Sequence, residues 1–191
     1  MLNEKNEKII ETITIEGIDF EIIEKAKTIY AGSYFVAPDF ESEPDINASW
    51  QWFQDNKDEI VDSITPDCMI CLSIDYALDH TIAQRPYAML HGQETSNFNQ
   101  PESVYVLEAE PTVIIKVKAT DTAWALTKKL TGLDTEQKSL WQLFTLIRTI
   151  FETDKYNYEF NGCKQKGNEE AEYYYFNGDN YVSVPMKRKS V

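Results

Sequence analysis

Two carboxylates, Glu94 and Glu172, stand out among the residues able to do chemistry, because each is set in strand-forming or aromatic sequence. Glu172 belongs to Glu169-Glu170-Ala171-Glu172-Tyr173-Tyr174-Tyr175-Phe176, where strand alternation puts Glu172, Tyr174 and Phe176 on one face. A carboxylate beside aromatic rings in a concave site suits an organic cation, since the acid supplies charge and the rings supply cation–π attraction and stacking area. The competing explanation is an edge strand whose glutamates are solvated and whose tyrosines lean on a helix. Glu94 closes His91-Gly92-Gln93-Glu94 and is the second candidate acid; by itself it equally suits a solvated strand end. Trp50, Trp52, Trp124 and Trp141 fall on or near expected helices and their connecting loop. Core packing accounts for most tryptophans in such places, and Trp50 and Trp141 are the candidates for a pocket wall. Tyr181, on the closing strand, completes the set.

Other chemistries lack their residues. No Gly-x-Ser-x-Gly elbow and no phosphate-cradling glycine run occurs among the seven glycines, so phosphoryl transfer, dinucleotide chemistry and a bound cofactor have no support. Cys68 and Cys71 form a Cys-x-x-Cys, but they lie in the strand-like run CMICLSIDY, where positions three apart point to opposite faces. With no second ligand pair, and with His80 and His91 at no ligand spacing, they read as ordinary strand cysteines and no metal site is expected. Three cysteines, an odd number, also argue against a disulfide framework.

Composition narrows the partners. The 191 residues carry 32 acidic against 18 basic side chains, a formal charge of −14, which repels a polyanion unless a strong basic patch intervenes. The one basic run, Lys187-Arg188-Lys189, is too short to be such a footprint, so direct nucleic-acid binding is not expected. Residues 1–12 lack the apolar core of a signal peptide, and no apolar run is long enough to span a bilayer. A cytoplasmic protein is expected, with 42% apolar residues sufficing for a core of its own.

These side chains must be positioned by a repeated set of elements. After a lead over 1–14, strands are expected around Phe20–Ile23 and Ile29–Val36, the second interrupted at Gly32-Ser33 by a bulge or a close backbone approach. A loop rich in Asp, Glu and Pro (Pro38–Pro44) leads to a helix over Ile46–Ile64, ended by Thr65-Pro66. Strands at Cys68–Tyr76 and Tyr87–Glu94 close the first half. The second half has a strand at Thr112–Lys118, a loop over Ala119–Asp134 holding Trp124, and a helix over Thr135–Glu152. That helix carries the apolar stripe Leu140, Leu143, Phe144, Ile147, Ile150 and Phe151, with Asp134 and Gln137 as a capping box. Strands at Ala171–Phe176 and Asn180–Met186 follow, joined by the turn Asn177-Gly178-Asp179. Each half therefore reads strand, helix, strand, strand at similar spacing, which points to duplication of one unit. The expectation is an α+β domain over 15–191, with modules at about 18–96 and 103–189.

The order of motifs resembles the GyrI-like effector-binding domains, which form the ligand-binding half of several AraC- and MerR-type regulators and also occur free-standing. The residues carrying the resemblance are Ile29-Tyr30-Ala31-Gly32, Trp50 with Phe53, Asp75-Tyr76, Gly92-Gln93-Glu94, Trp141, Glu172-Tyr173-Tyr174 and Val184-Pro185-Met186-Lys187. Each is weak alone; their order from Phe20 to Lys189 is the evidence. The resemblance implies a pseudo-twofold pair of modules, a curved antiparallel sheet with two main helices on one side, and a pocket between the halves. It also implies Glu172 at the pocket floor with aromatic walls. Two departures stand against it: Glu110-Pro111-Thr112-Val113 keeps only the Pro of the usual opening of the second module, and the loop 119–134 is long.

On this footing the expected function is a free-standing effector-binding protein that takes a hydrophobic small molecule, with organic cations among the candidates. Such a protein senses or sequesters its ligand, with links to transcription regulation or multidrug binding. The stretch ahead of the domain is too short for a helix-turn-helix, so regulation would need a separate protein. Two other readings stay open. One is a hydrolase of strained electrophilic molecules with Glu172 as general base, aided by a tyrosine hydroxyl. The other is a gyrase-inhibitor-like interaction with a topoisomerase partner.

Overall fold

Glu16 and Gly17 both adopt positive φ (50° and 79°), the conformation that a two-residue hairpin turn requires. They join strand β1 (Glu7–Ile15) to β2 (Ile18–Lys25). The chain continues through β3 (Thr28–Ala37), helix α1 (Glu43–Asn56), β4 (Cys68–Ile74), β5 (Tyr87–Thr95), β6 (Tyr105–Ala109) and β7 (Thr112–Lys118). Helices α2 (Asp121–Thr131) and α3 (Trp141–Phe151), then β8 (Tyr158–Phe160), β9 (Ala171–Tyr175) and β10 (Asn180–Arg188), complete it. The computed structural model describes residues 6–37, 43–74, 87–161 and 171–190. Asp75-Tyr76, His80, Cys163, Glu169-Glu170 and most of the expected loop after Pro38 lie outside the described residues.

Among the described residues ten strands form one open antiparallel sheet in the order β1-β2-β7-β10-β9-β4-β5-β3-β6, with β8 paired to β10. The order is symmetric about the β4–β9 pair. On one side β4, β5 and β3 follow one another; on the other, β9, β10 and β7 do the same. The repeated strand-helix-strand-strand unit is thus visible in space, and the α+β class with helices on one face holds.

One pleat row shows how the helical face is organised. Phe20, Val117, Val182, Glu172, Cys71, His91 and Ser33 face one another in turn across β2, β7, β10, β9, β4, β5 and β3. The first three are apolar and packed against the α3 stripe of Leu143, Phe144, Ile147, Ile150 and Phe151, with Trp124 and Leu126 of α2 beside them. Under α1 the covering is thinner, with Phe53 and Ile60 on Ala31, Met69 and Cys71. Glu172 marks the change from one to the other. Cys68 and Cys71 join different clusters and so point to opposite faces, as their spacing requires.

Several elements differ from the sequence expectations. The stretch 119–134 is not a loop: Thr120 caps α2 by accepting a hydrogen bond from the Ala123 amide, and Gly132 ends it at φ 74°. Conversely, α3 begins only at Trp141, because the Asp134 carboxylate accepts from the Glu136 amide in a local turn instead of capping a helix. Helix α1 stops at Asn56, whose side chain donates back to the Trp52 carbonyl, and a 3-10 turn over Lys57–Glu59 replaces the expected run to Ile64. Strands β1, β6 and β8 fall where no element was expected. The interruption at Gly32 is a close approach and not a bulge. Gly32 faces Gly92 in an unbroken β3–β5 register, and a Cβ on either would strike backbone carbonyl oxygen of the opposite strand.

The other face of the sheet is concave. Lys25 on β2 and Glu94 on β5 are five strands apart in pairing order, about 24 Å in a flat sheet at ~4.8 Å per strand. Yet their side chains form an ion pair, so the two ends of the sheet curl towards each other.

Candidate functional site

The seam between the modules, β4 against β9, presents two different sets of side chains. On the helical face Glu172 accepts a hydrogen bond from the Tyr174 hydroxyl at 2.6 Å. Trp50 of α1 stands edge-on to Tyr174 (6.2 Å between ring centroids) and to His91 (6.3 Å), so the indole spans from β9 to β5. His91 shares a hydrogen bond with the Ser49 hydroxyl at 2.9 Å, Ser49 donates to Ser33 at 3.1 Å, and the imidazole stacks on Phe35. Burial pushes His91 down to about 4, which keeps the ring neutral. Burial also raises the Glu172 carboxyl above its ordinary value, against a smaller lowering effect of the Tyr174 hydrogen bond. Among the described residues no lysine or arginine pairs with Glu172.

The concave face carries a buried chain of alternating charge. Lys25 reaches Glu94, donates to Glu7 at 3.0 Å and to the Tyr173 hydroxyl at 3.2 Å, and Lys116 reaches the other oxygen of Glu7 at 3.4 Å. The Lys25, Lys116 and Glu94 side chains are 5%, 1% and 2% exposed. Tyr30, Tyr173, Tyr175 and Tyr181 surround them, with the Lys116 ammonium 4.2 Å from the Tyr173 ring centroid and 5.7 Å from that of Tyr181. Burial works against ionised Glu7, but the attraction of Lys116 and Lys25 outweighs it and lowers its pKa. For Lys25 burial is likewise outweighed, here by Tyr173, Tyr30, Glu94 and Glu7, and its pKa lies well above the ordinary value. Burial dominates for Lys116 and lowers it, and dominates for Tyr30, pushing it up to about 12.

The sequence-derived set therefore divides. Glu172, Tyr174 and Trp50 come together on the helical face. Glu94 and Tyr181 lie on the concave face, behind the sheet from Glu172. Phe176 follows the end of β9, 49% exposed, with the Lys57 ammonium 4.6 Å from its ring centroid. Trp141 opens α3 and is 42% exposed. His91, Ser49, Lys25, Lys116, Glu7, Tyr30 and Tyr173 are not among the site residues read from the sequence, although Tyr30 and Tyr173 stand in the motifs that carry the resemblance. His91 carried a signal in its place beside Gly92 and Glu94, but Lys25 and Lys116 look like solvated strand residues until the sheet curls.

Among the described residues no cluster of three His, Cys, Asp or Glu side chains is arranged to hold a metal ion, and no helix is long and apolar enough to cross a membrane. No protein-family profile matches the chain, and no curated protein matches it in sequence. Solved structures share its fold. SAV2435 bound to tetraphenylphosphonium aligns with a TM-score of 0.58 at 11% identity, over 88% of this chain and 93% of that one. EcmrR, solved in a complex with DNA, aligns with a TM-score of 0.55 at 12% identity, over 92% of this chain and 59% of its own. A putative bacterial transcription regulation protein from Staphylococcus aureus aligns with a TM-score of 0.54 at 10% identity, over 90% of this chain and 99% of that one. At these identities the likeness is one of fold.

Proposed function

We propose that the chain is a small-molecule-binding protein of the GyrI-like effector-binding type, and that it takes a hydrophobic organic cation on the helical face of the module seam. The observation that carries this is Glu172. It is a partly buried carboxylate on the central strand, with the Trp50 ring edge-on to its hydroxyl partner Tyr174 and no cation paired to it among the described residues. A desolvated, uncompensated carboxylate gains most from a ligand that brings the missing charge. The Trp50 and Tyr174 rings add stacking area for an apolar body. The fold shared with SAV2435, whose structure holds the lipophilic cation tetraphenylphosphonium, supports the same class of ligand. The net charge of −14 disfavours direct contact between these 191 residues and DNA.

The test is a tryptophan-fluorescence titration with tetraphenylphosphonium and with a neutral analogue of the same shape, tetraphenylmethane, for the wild type and Glu172→Gln. The phosphonium should quench, and the substitution should weaken its binding about tenfold or more, the effect of one charge-assisted contact in a desolvated site. Equal binding of the cation by wild type and variant overturns the proposal. Chemical change of a bound ligand after prolonged incubation would favour the hydrolytic alternative, with Glu172 and Tyr174 as its pair.

A further inference from the structure

Four ionised side chains buried together are a poor way to hold a fold. A buried ion pair loses as much hydration as it gains in attraction, and apolar side chains of the same size usually do as well or better. The Glu94–Lys25–Glu7–Lys116 chain is therefore not explained by stability. We propose that it is a second binding site, for a flat organic carboxylate, and that β1 keeps it closed by seating the Glu7 carboxylate where the carboxylate of the ligand would go. This site is separate from the one at Glu172, lies on the opposite face and takes the opposite charge.

Three observations point the same way. First, the charges that stay with the core are unequal. Lys25 on β2 and Lys116 on β7 carry two positive charges and Glu94 on β5 one negative, so the site without Glu7 lacks one anion. Second, Glu7 arrives on the element best able to leave. Among the described residues β1 is the outermost strand and pairs only with β2, its residues from Lys8 to Thr12 are exposed, and its register breaks between Ile9 and Glu11, close to Glu7. Third, space and rings are already present. A cavity of about 280 Å³, close to the lower end of the ~300–1,000 Å³ range of ligand pockets, is lined by Lys116 and Tyr181 with Glu21 and Lys118, and a larger one of about 720 Å³ reaches Glu7 and Lys25 from the strand ends, among Glu24, Val113 and Met186. Tyr173 and Tyr30 flank the Lys25 ammonium at 5.6 and 5.7 Å, and with both rings 2% exposed an aromatic acid would have to displace β1 to reach them. Binding would exchange one carboxylate for another on the same two lysines, with no change in buried charge.

The test uses calorimetry with 1-naphthoate and its uncharged counterpart 1-naphthamide on the wild type, Glu7→Gln, Glu7→Ala and Glu7→Ala/Lys116→Met. Removing the internal competitor should tighten naphthoate binding about tenfold or more in both single variants. Lys116→Met should reverse that gain, and naphthamide should show none of it. Equal naphthoate affinity in wild type and single variants, or an equal gain for naphthamide, overturns the proposal. Should the Glu7 variants fail to fold, amide hydrogen exchange of the wild type decides. Naphthoate must speed exchange across Glu7–Ile15, and unchanged exchange up to the solubility limit rejects the site. Tetraphenylphosphonium binding should be the same in folded Glu7 variants as in the wild type, which separates this result from the fate of the Glu172 site.

Discussion

Glu94 and Glu172 lie on β5 and β9 with only β4 between them, and they point to opposite faces of the same sheet. The first is matched by a lysine drawn in from the far side of the curl; the second is matched by a neutral hydroxyl. Two carboxylates about two strands apart thus sit in environments of different character, and their removal should have different consequences.

Glu172→Gln should leave the fold intact and make it as stable as the wild type or more so at neutral pH. Its folded pKa is raised above 4.5, so it binds a proton more readily folded than unfolded. The stability that this brings is present below pH 4.5 and is lost as pH rises through the folded pKa. Urea denaturation at a series of pH values should show the wild type losing ground to Glu172→Gln above that range, and parallel curves would refute the assignment.

His91 should behave with the opposite slope. Its folded pKa is depressed from 6.5 to about 4, so the stability tied to the neutral ring is full above 6.5 and lost as pH falls towards 4. A shift of that size corresponds to roughly 3 kcal/mol. The imidazole NMR signals should stay those of a neutral ring well below pH 6, and His91→Asn should flatten the acid limb of the stability profile.

Lys25→Met should destabilise by about 3–5 kcal/mol, because it strands Glu94 and leaves Glu7 to Lys116 alone in a buried setting. Adding Glu94→Gln should return part of the loss. A double-mutant cycle by chemical denaturation measures the coupling, and additive losses would mean that the pair does not bind the two ends of the sheet.

Gly32→Ala and Gly92→Ala should each cost at least the ~1–3 kcal/mol of ordinary overpacking, since the new methyl meets rigid backbone and not a side chain able to turn aside. Melting temperatures of the two variants check this; wild-type values would mean that β3 and β5 can part locally at no expense.

Much of the architecture was readable because alternation and helical periodicity are local. The pairs β4–β5 and β9–β10 and the α3 stripe follow from patterns of adjacent residues. Helix α2 was missed although Thr120 and Gly132 carried its start and stop signals, since Trp124 and Leu126 alone make a weak stripe. Strand β1 was missed because residues 8–12 are exposed on both faces and the alternation that remains, over residues 12–15, is short. In the site, Glu172 and Tyr174 were found because they share one strand. The concave cluster joins residues from β1, β2, β5, β7 and β9, and nothing local in Lys25 or Lys116 announces a burial created by curvature.

The strand order also sets a timetable for folding. The β1–β2 hairpin is made with the first half but docks on β7 of the second, Phe20 facing Val117 and Ile22 facing Ile115. During synthesis the apolar face of β2 has to wait, uncovered, until β7 and α3 exist. Pairing over such a separation is slow, and an uncovered strand is open to the wrong partner in the meantime. The exposed, charge-bearing β1 borders β2 through that interval, so the hairpin guards an edge before it completes a sheet.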